Sequence, residues 1–293
     1  MNRLSITKRV QILAMLCEGS SMRSISRVAD VSINTVTKLL VDAGEACLAM
    51  HDELVRNVPA ARVQCDEIWS FTYAKAKNVA TAKAAPEGAG DVWTWTALDA
   101  DTKLMVSYFV GDRSGESAMI LADDLRARVS SERVQITTDG HNAYLRAIEE
   151  AFGADADYAT LEKVYRTDPR AAQGRYSPPV CTGIRTKVVE GKPDPKHVST
   201  SYVERSNLSI RMQNRRFTRL TNAFSKKLDN HIHALALYFA FYNFVRIHKT
   251  LKVTPAMAAG ITDRPWSLED IVERIDAAAP KAGPRGPYKK RQA

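Results

Sequence analysis

Residues 62–73, RVQCDEIWSFTY, alternate with period two. Val63, Cys65, Glu67, Trp69, Phe71 and Tyr73 fall on one face, and Gln64, Asp66, Ile68, Ser70 and Thr72 on the other. β-Branched and aromatic residues at that period predict a strand. A carboxylate inside an apolar strand is costly unless something positive lies against it. Asp66 is therefore either an edge acid paired with Arg or Lys, or part of a charged site. Two later stretches favour the site. TTDGHNAY at 137–144 puts Asp139 where a strand hands over to a loop, and SYVERSNLSIR at 201–211 puts Glu204 near the start of a helix. Taken alone, Asp139 reads equally as a helix cap, and Glu204 as one charge on an exposed helix. Three carboxylates on three separate elements are what a divalent-metal phosphoryl-transfer site requires. Glu67, on the strand face opposite Asp66, is given no direct role.

With 293 residues the chain can bury a full core and carry a second small domain. Its 45% hydrophobic and 26% charged residues exclude wholesale disorder. A net charge of +9 and a pI near 9.4 point to a polyanionic partner, nucleic acid before membrane. The excess is local: residues 205–252 hold ten Lys or Arg against one acid, Asp229. The tail 280–293 holds five basic residues and no acid, and is expected to be disordered. Cys17, Cys47, Cys65 and Cys181 lie far apart without a CxxC, which excludes a zinc finger and fits a reduced cytosol. No apolar run reaches the roughly 18 residues of a membrane span, and the start lacks a signal-peptide core. A cytoplasmic location is expected.

The first fifty residues carry three helical patterns: 7–17, 22–29 capped by Ser21, and 33–42 capped by Ser32. Ile25, Val28 and Ala29 are predicted to face inward from the second, and Val36, Leu39 and Leu40 from the third. SISRVADVSINTVTKLL (24–40) resembles the helix-turn-helix of bacterial repressors and recombinases. Asp30 stands at the turn position usually held by Gly, and Asp tolerates the left-handed conformation better than most residues. In that geometry the third helix enters a major groove, with Asn34, Thr35, Thr37 and Lys38 exposed at its start. The alternative is an ordinary three-helix bundle with a polar face. Residues 51–62, containing Pro59, read as a linker.

Beyond it, strands are predicted at 92–98 and 104–110, a helix at 114–129, a strand at 134–138 and a helix at 141–152. Trp93 and Trp95 are read as core. A last strand is expected at 159–165, then a long Pro-, Gly- and base-rich insertion over 166–197 with a strand at 183–189 inside it. A helix at 200–216 would carry Glu204, with Asn207, Arg211 and Arg215 following at intervals of three and four. A long apolar helix is expected at 225–245. His231 and His233, two apart, do not share a helical face as a metal pair would.

With CDEIWSF, TTDGHNAY, YVERSNLSIRMQNRRFTRLTNAFSK and YNFVRIHKTLKVTPAMAAGI together, the chain resembles the DDE-type transposases of bacterial insertion sequences, nearest the compact type called insertion sequence one, over roughly residues 20–260. The resemblance implies an α/β fold: an RNase H-like mixed-sheet catalytic core at 63–250, preceded by an all-α helix-turn-helix domain at 1–50 and followed by a helical extension at 251–279. It implies Asp66, Asp139 and Glu204 as catalytic and metal-binding residues. The ions would be two Mg²⁺, with Mn²⁺ as a substitute, acting on double-stranded DNA of transposon terminal repeats and target. Asn207, Arg211, Arg215 and Arg216 are the expected DNA contacts of the core, and pairing of two DNA ends calls for a homodimer or larger. Two departures stand out. Nothing here supplies the amino-terminal zinc-binding segment common in that type, and Asp139 and Glu204 are 65 positions apart, longer than its usual spacing. A catalytically retired, DNA-binding repressor and a structure-selective nuclease on the same core are the alternatives.

Overall fold

The computed structural model describes residues 3–166, 180–218 and 222–279. The helices are α1 (Ile6–Cys17), α2 (Met22–Ala29), α3 (Ile33–Leu54), α4 (Ala76–Val79), α5 (Gly115–Arg128), α6 (Ala143–Phe152), α7 (Ser201–Gln213), α8 (Leu228–Ala240), α9 (Pro255–Ala258) and α10 (Leu268–Ala278). The strands are β1 (Arg62–Thr72), β2 (Gly90–Asp99), β3 (Met105–Gly111), β4 (Val134–Thr138), β5 (Ala156–Arg166) and β6 (Val180–Glu190).

The six strands form one sheet in the order β3-β2-β1-β4-β5-β6. β1, β2 and β3 make an antiparallel meander, β4 and β5 lie parallel to β1, and β6 returns antiparallel along β5. The fold is thus mixed α/β, with a six-stranded mixed sheet.

Alternation along β1 sorts the two faces. Val63 and Cys65 join an apolar cluster with Leu121, Leu125 and Tyr144 of α5 and α6. Ile68, two positions from Asp66, joins a second cluster with Val203 and Ile210 of α7 and Leu235 and Phe239 of α8. α8 is buried on nearly every side, because Ala236, Leu237 and Ala240 belong to the first cluster. Its apolar run continues into a π-turn at Phe241–Val245, where Asn243 has a specific task. Asn243 Nδ2 donates to Met105 O and its Oδ1 accepts from Met105 N, both at 3.0 Å, where β3 is irregularly paired with β2.

The amino-terminal helices begin as the sequence predicts. Ser21 accepts from Ser24 N and Ser32 from Thr35 N, each at 3.1 Å. Asp30 adopts the left-handed conformation, φ 48° and ψ 55°. Val28 departs from expectation: it is 62% exposed, beside the turn rather than under it. The larger difference is α3, which runs on to Leu54 and absorbs the start of the expected linker. Ala43, Gly44, Ala46, Cys47 and Met50 continue its buried stripe. The rest of 51–62 is not a free connector either: Val55 and Val58 are buried, and Val58 bridges to Val129. α10, in the expected extension at 251–279, returns to the first helices, where Asp276 pairs with Arg3 and with the buried Arg9.

Within the expected insertion at 166–197, the strand predicted at 183–189 is present with wider bounds, as β6. β5 and β6 form an antiparallel pair that carries the sheet outward, and Pro195–His197 is a single 3-10 turn. Residues 167–179 of that insertion, and the basic tail 280–293, lie outside the described residues. No helix among the described residues is long and apolar enough to cross a membrane. Cys17, Cys47, Cys65 and Cys181 are all free thiols.

Two buried histidines make the fold acid-sensitive. His51 Nε2 lies 3.0 Å from Val106 O, and His231 Nε2 lies 3.2 Å from Ser70 Oγ. Burial, reinforced by Arg128, lowers His51 to about 4; burial, reinforced by Arg216, lowers His231 to about 3. A lowered folded-state value means that the unfolded chain binds the proton first. Each histidine's contribution is complete above pH 6.5 and is lost as pH falls from there toward 4. At pH 5 the loss is about 2 kcal/mol per histidine, from 1.36 kcal/mol per pH unit. Asp66, raised to about 7, works in the opposite sense, gaining stability as it takes up a proton. The expected result is that His51→Gln and His231→Gln each narrow the difference in melting temperature between pH 7.5 and pH 5. An unchanged difference in both variants contradicts the assignment.

Candidate active site

Strand register builds the site. β1 pairs in parallel with β4 from Arg62↔Gln135 to Gln64↔Thr137, and β4 ends one residue later. Continued by two positions, the register sets Asp66 beside Asp139, at the carboxyl edge of β4 where ligands gather in α/β sheets. β1 runs on past that edge, so Asp66 and Glu67 overlook a cleft instead of a neighbouring strand. Gly140, next to Asp139, allows Glu162 to approach, since a Cβ there would lie 2.5 Å from Glu162 Oε1.

α7 is moored to the same strand face. Gln64 Oε1 accepts from Tyr202 N at 2.9 Å and from Val203 N at 3.1 Å, satisfying two of the orphan N–H groups of the first turn. One residue pair along β1, Asp66 Oδ2 accepts from Asn207 Nδ2 at 2.8 Å. These two ties bring Glu204 to the cleft. It has a volume of about 750 Å³ and is lined by Asp66, Glu67, Asp139 and Glu204, together with the cationic side chains of Arg113, Lys163 and Arg211.

Within the cleft, carboxylate oxygens of Asp66, Glu67 and Asp139 lie within 4.8 Å of one another. Glu67 was expected to play no part, and this is a correction. Its Cβ does point to the opposite strand face, where Arg113 donates to Oε1 at 2.6 and 3.0 Å and Tyr144 Oη donates to Oε2 at 3.2 Å. Beyond the end of β4, however, no strand separates the two faces. Glu204 stands apart from this trio: its carboxylate is ion-paired with Lys163 and accepts from Thr200 Oγ1 at 2.7 Å.

The carboxylates repel one another on a cleft wall where Glu67 is buried and Asp66 and Asp139 are half-buried. Burial first, then the charges of Glu67 and Asp139, push Asp66 up to about 7, against hydrogen bonds from Glu67 N and Asn207 that favour the charged form. Burial and Asp139 raise Glu67, opposed by Arg113. An all-oxygen donor set under that strain fits a hard divalent cation such as Mg²⁺ or Mn²⁺. Asp66, Asp139 and Glu67 are the residues grouped to hold one, and Glu204 lines the same cleft.

The expected DNA contacts separate. Asn34 and Lys38 are exposed on α3, and Lys38 is paired with Asp42 at 2.7 Å. Thr35 and Thr37 are half-buried, and their hydroxyls bond within the helix start, to Ser32 Oγ at 2.8 Å and to Ile33 O at 2.9 Å. On the core side, Arg211 lines the cleft. Arg215 lies beyond the end of α7, in a 3-10 turn, and so is not part of a helical stripe. Two of the expected contacts are engaged within the chain. Asn207 is 3% exposed and bound to Asp66, and Arg216 is turned inward with Nε on Ser225 Oγ at 2.7 Å. Trp95 is buried as expected, whereas Trp93 is half-buried beneath the Arg113 guanidinium, 4.6 Å from its ring centre. Gln64 was missed, although its position two residues before Asp66 puts both on one face.

No family model matches the sequence, and no curated protein matches it. Among solved structures, the chain overlaps the Mos1 strand transfer complex at 12% identity and TM-score 0.34, over 94% of this chain and 79% of that one. It overlaps the piggyBac transposase synaptic complex with hairpin DNA at 10% identity and TM-score 0.37, over 94% and 73%. The Mos1 mariner paired end complex with Mn overlaps at 11% identity and TM-score 0.28, over 81% and 76%. Likeness at this level assigns no chemistry to the chain.

Proposed function

We propose that the protein is a DDE-type DNA transposase of an insertion sequence, built on an RNase H-like core, that cuts DNA at the element's terminal repeats and joins the ends to target DNA. The observation that carries this reading is the convergence of Asp66, Asp139 and Glu204, from three separate elements, on one cleft lined with cations. A cleft carrying only structural acids would not need three elements to meet there.

In this reading Asp66, Asp139 and Glu204 hold Mg²⁺, or Mn²⁺ in its place, and Glu67 supports or shares that task. The ions supply Lewis acidity and activate the attacking oxygen. The chain's own residues do the rest. Arg113, Lys163 and Arg211 receive the phosphate backbone along the cleft wall. Lys163, paired with Glu204 in this structure, would be available to phosphate if that carboxylate held an ion instead. Asn34, Thr35, Thr37 and Lys38 read the terminal repeat from a helix-turn-helix, with residues 1–50 as the reading domain and 63–250 as the catalytic core. Lys38 must exchange Asp42 for a phosphate or a base to do so. Two ends must be cut together, so a homodimer or larger assembly on DNA, in the cytoplasm, belongs to the same proposal.

The test is Mg²⁺-dependent cleavage and joining on a duplex carrying the ends that flank the gene, with Asp139→Asn and Glu204→Gln beside the wild type. Joined products lost in both variants, with end binding retained, are expected. Cleavage without joining in the wild type would indicate a nuclease, and tight binding without chemistry a repressor.

A further inference from the structure

Asn207 follows Glu204 by three residues on α7, is 3% exposed, and lines the carboxylate cleft. Its two amide atoms are in different situations. Nδ2 donates to Asp66 Oδ2 at 2.8 Å, whereas Oδ1 is buried with no hydrogen-bond partner among the described residues. The orientation of the amide is not arbitrary, because an ionised carboxylate only accepts and the nitrogen must therefore face Asp66. The oxygen is left buried at the edge of a site whose other candidate ligands, the carboxylates, are acceptors as well. A buried acceptor without a donor costs about 1–3 kcal/mol, so an orphan of this kind in a native site calls for a ligand or ion.

None of the cleft cations Arg113, Lys163 and Arg211 donates to Asn207 Oδ1, and Arg113 is held by Glu67 and Lys163 by Glu204. What would bring a donor to Asn207 Oδ1 is the hydration shell of a cation on Asp66, since Mg²⁺ gives up its waters reluctantly and offers their protons as donors. We infer that Asn207 is a positioning residue of the ion site: its Nδ2 aims Asp66, and its Oδ1 accepts a hydrogen bond from a water of the bound ion. This rests on the metal reading proposed above and adds to its carboxylates a neutral member from the same helix as Glu204. The amide adds no charge to a crowded group of acids. It ties α7 to β1 in the absence of an ion and completes the ion's surroundings when one is bound.

The experiment is Mn²⁺ binding to the full chain, followed by electron paramagnetic resonance, for the wild type, Asp66→Asn, Asn207→Ala and Asn207→Leu. Leu keeps the buried volume should Ala leave a cavity that disturbs folding. Melting in EDTA is run beside each titration. Loss of a partner of this kind weakens metal affinity about 10–100-fold, so Asn207→Ala and Asn207→Leu are expected to raise the Mn²⁺ Kd at least about tenfold. Melting in EDTA is expected to stay close to wild type, because the orphan oxygen leaves together with the hydrogen bond. A wild type that binds Mn²⁺ through Asp66 while both Asn207 variants bind within twofold of it overturns this inference alone. A wild type that binds no Mn²⁺ overturns it together with the metal reading.

Discussion

Asp66→Asn is expected to abolish Mg²⁺-dependent DNA cleavage and joining while making the ion-free protein more stable. Both effects come from the same carboxylate. Removing an oxygen that holds a catalytic ion forfeits several kcal/mol of transition-state charge stabilisation, a loss of at least about 10³-fold in rate. In the absence of an ion, the Asp66 charge is a burden. It is half-buried beside Glu67 and Asp139, and desolvation and their charges together raise its carboxyl to about 7. Asn at 66 removes the charge and keeps one oxygen for Asn207 Nδ2, so the tie from β1 to α7 survives while the bond that Asp66 Oδ1 accepts from Glu67 N is lost, which offsets part of the gain. A gain of about 1–2 kcal/mol is expected, the exchange of function for stability typical of strained sites. That gain raises the melting temperature in EDTA by several degrees, whereas the further rise produced by Mg²⁺ in the wild type should vanish. A variant that keeps a tenth of wild-type joining, or melts lower in EDTA, contradicts the role given to Asp66.

Gly44→Val is the second large effect, on stability alone. Gly44 sits in the middle of α3 where that helix crosses α8. A Cβ added there would lie 2.3 Å from His233 Cβ and 2.5 Å from its Cα. The contact is with the Cα and Cβ of His233, which no rotation of that side chain can move away. Replacing Gly in a helix ordinarily gains up to about 1 kcal/mol in propensity, and overpacking costs about 1–3 kcal/mol or more. For Val, which is the poorer helix former and adds two further methyl groups, the steric term wins. A loss of at least about 3 kcal/mol is expected, read as a fall in the denaturation midpoint at unchanged slope. Gly44→Ala should fall in between. A neutral Val variant would mean that α3 and α8 are not in this contact, and that the amino-terminal helices are not joined to the sheet as described.

The elements that place the acids were legible because each is written in local chemistry. Period-two alternation marked β1, the Ser21 and Ser32 caps marked the starts of α2 and α3, and Asp30 marked the turn between them. Asp139 was legible as the residue at the end of a short strand, and the register of β1 on β4 then set it beside Asp66. What escaped was non-local. Alternation fixes the direction of Cβ and does not fix where a Glu side chain ends, so Glu67 was assigned away from a site it borders. Asn207 shared the Glu204 face at an interval of three, a signal that was present, yet the sequence could not say that its partner would be Asp66 rather than DNA. The reach of α3 to Leu54 was written in the small residues Ala43, Gly44 and Ala46, whose meaning depends on α8, nearly two hundred residues later. Within 166–197 a strand was marked at 183–189, and what the composition did not give was its reach, since β6 runs over Val180–Glu190 by pairing with β5 while nearly all of its residues stay exposed.

The most direct measurement is anomalous scattering from crystals soaked in Mn²⁺. The account predicts peaks in the cleft within bonding distance of Asp66 and Asp139, with Glu204 released from Lys163 to reach the metal site and with no peak in Asp66→Asn crystals. Crystals that hold Mn²⁺ elsewhere, or that leave Glu204 on Lys163 with no ion beside Asp66, would contradict a metal-dependent phosphoryl-transfer site in this cleft.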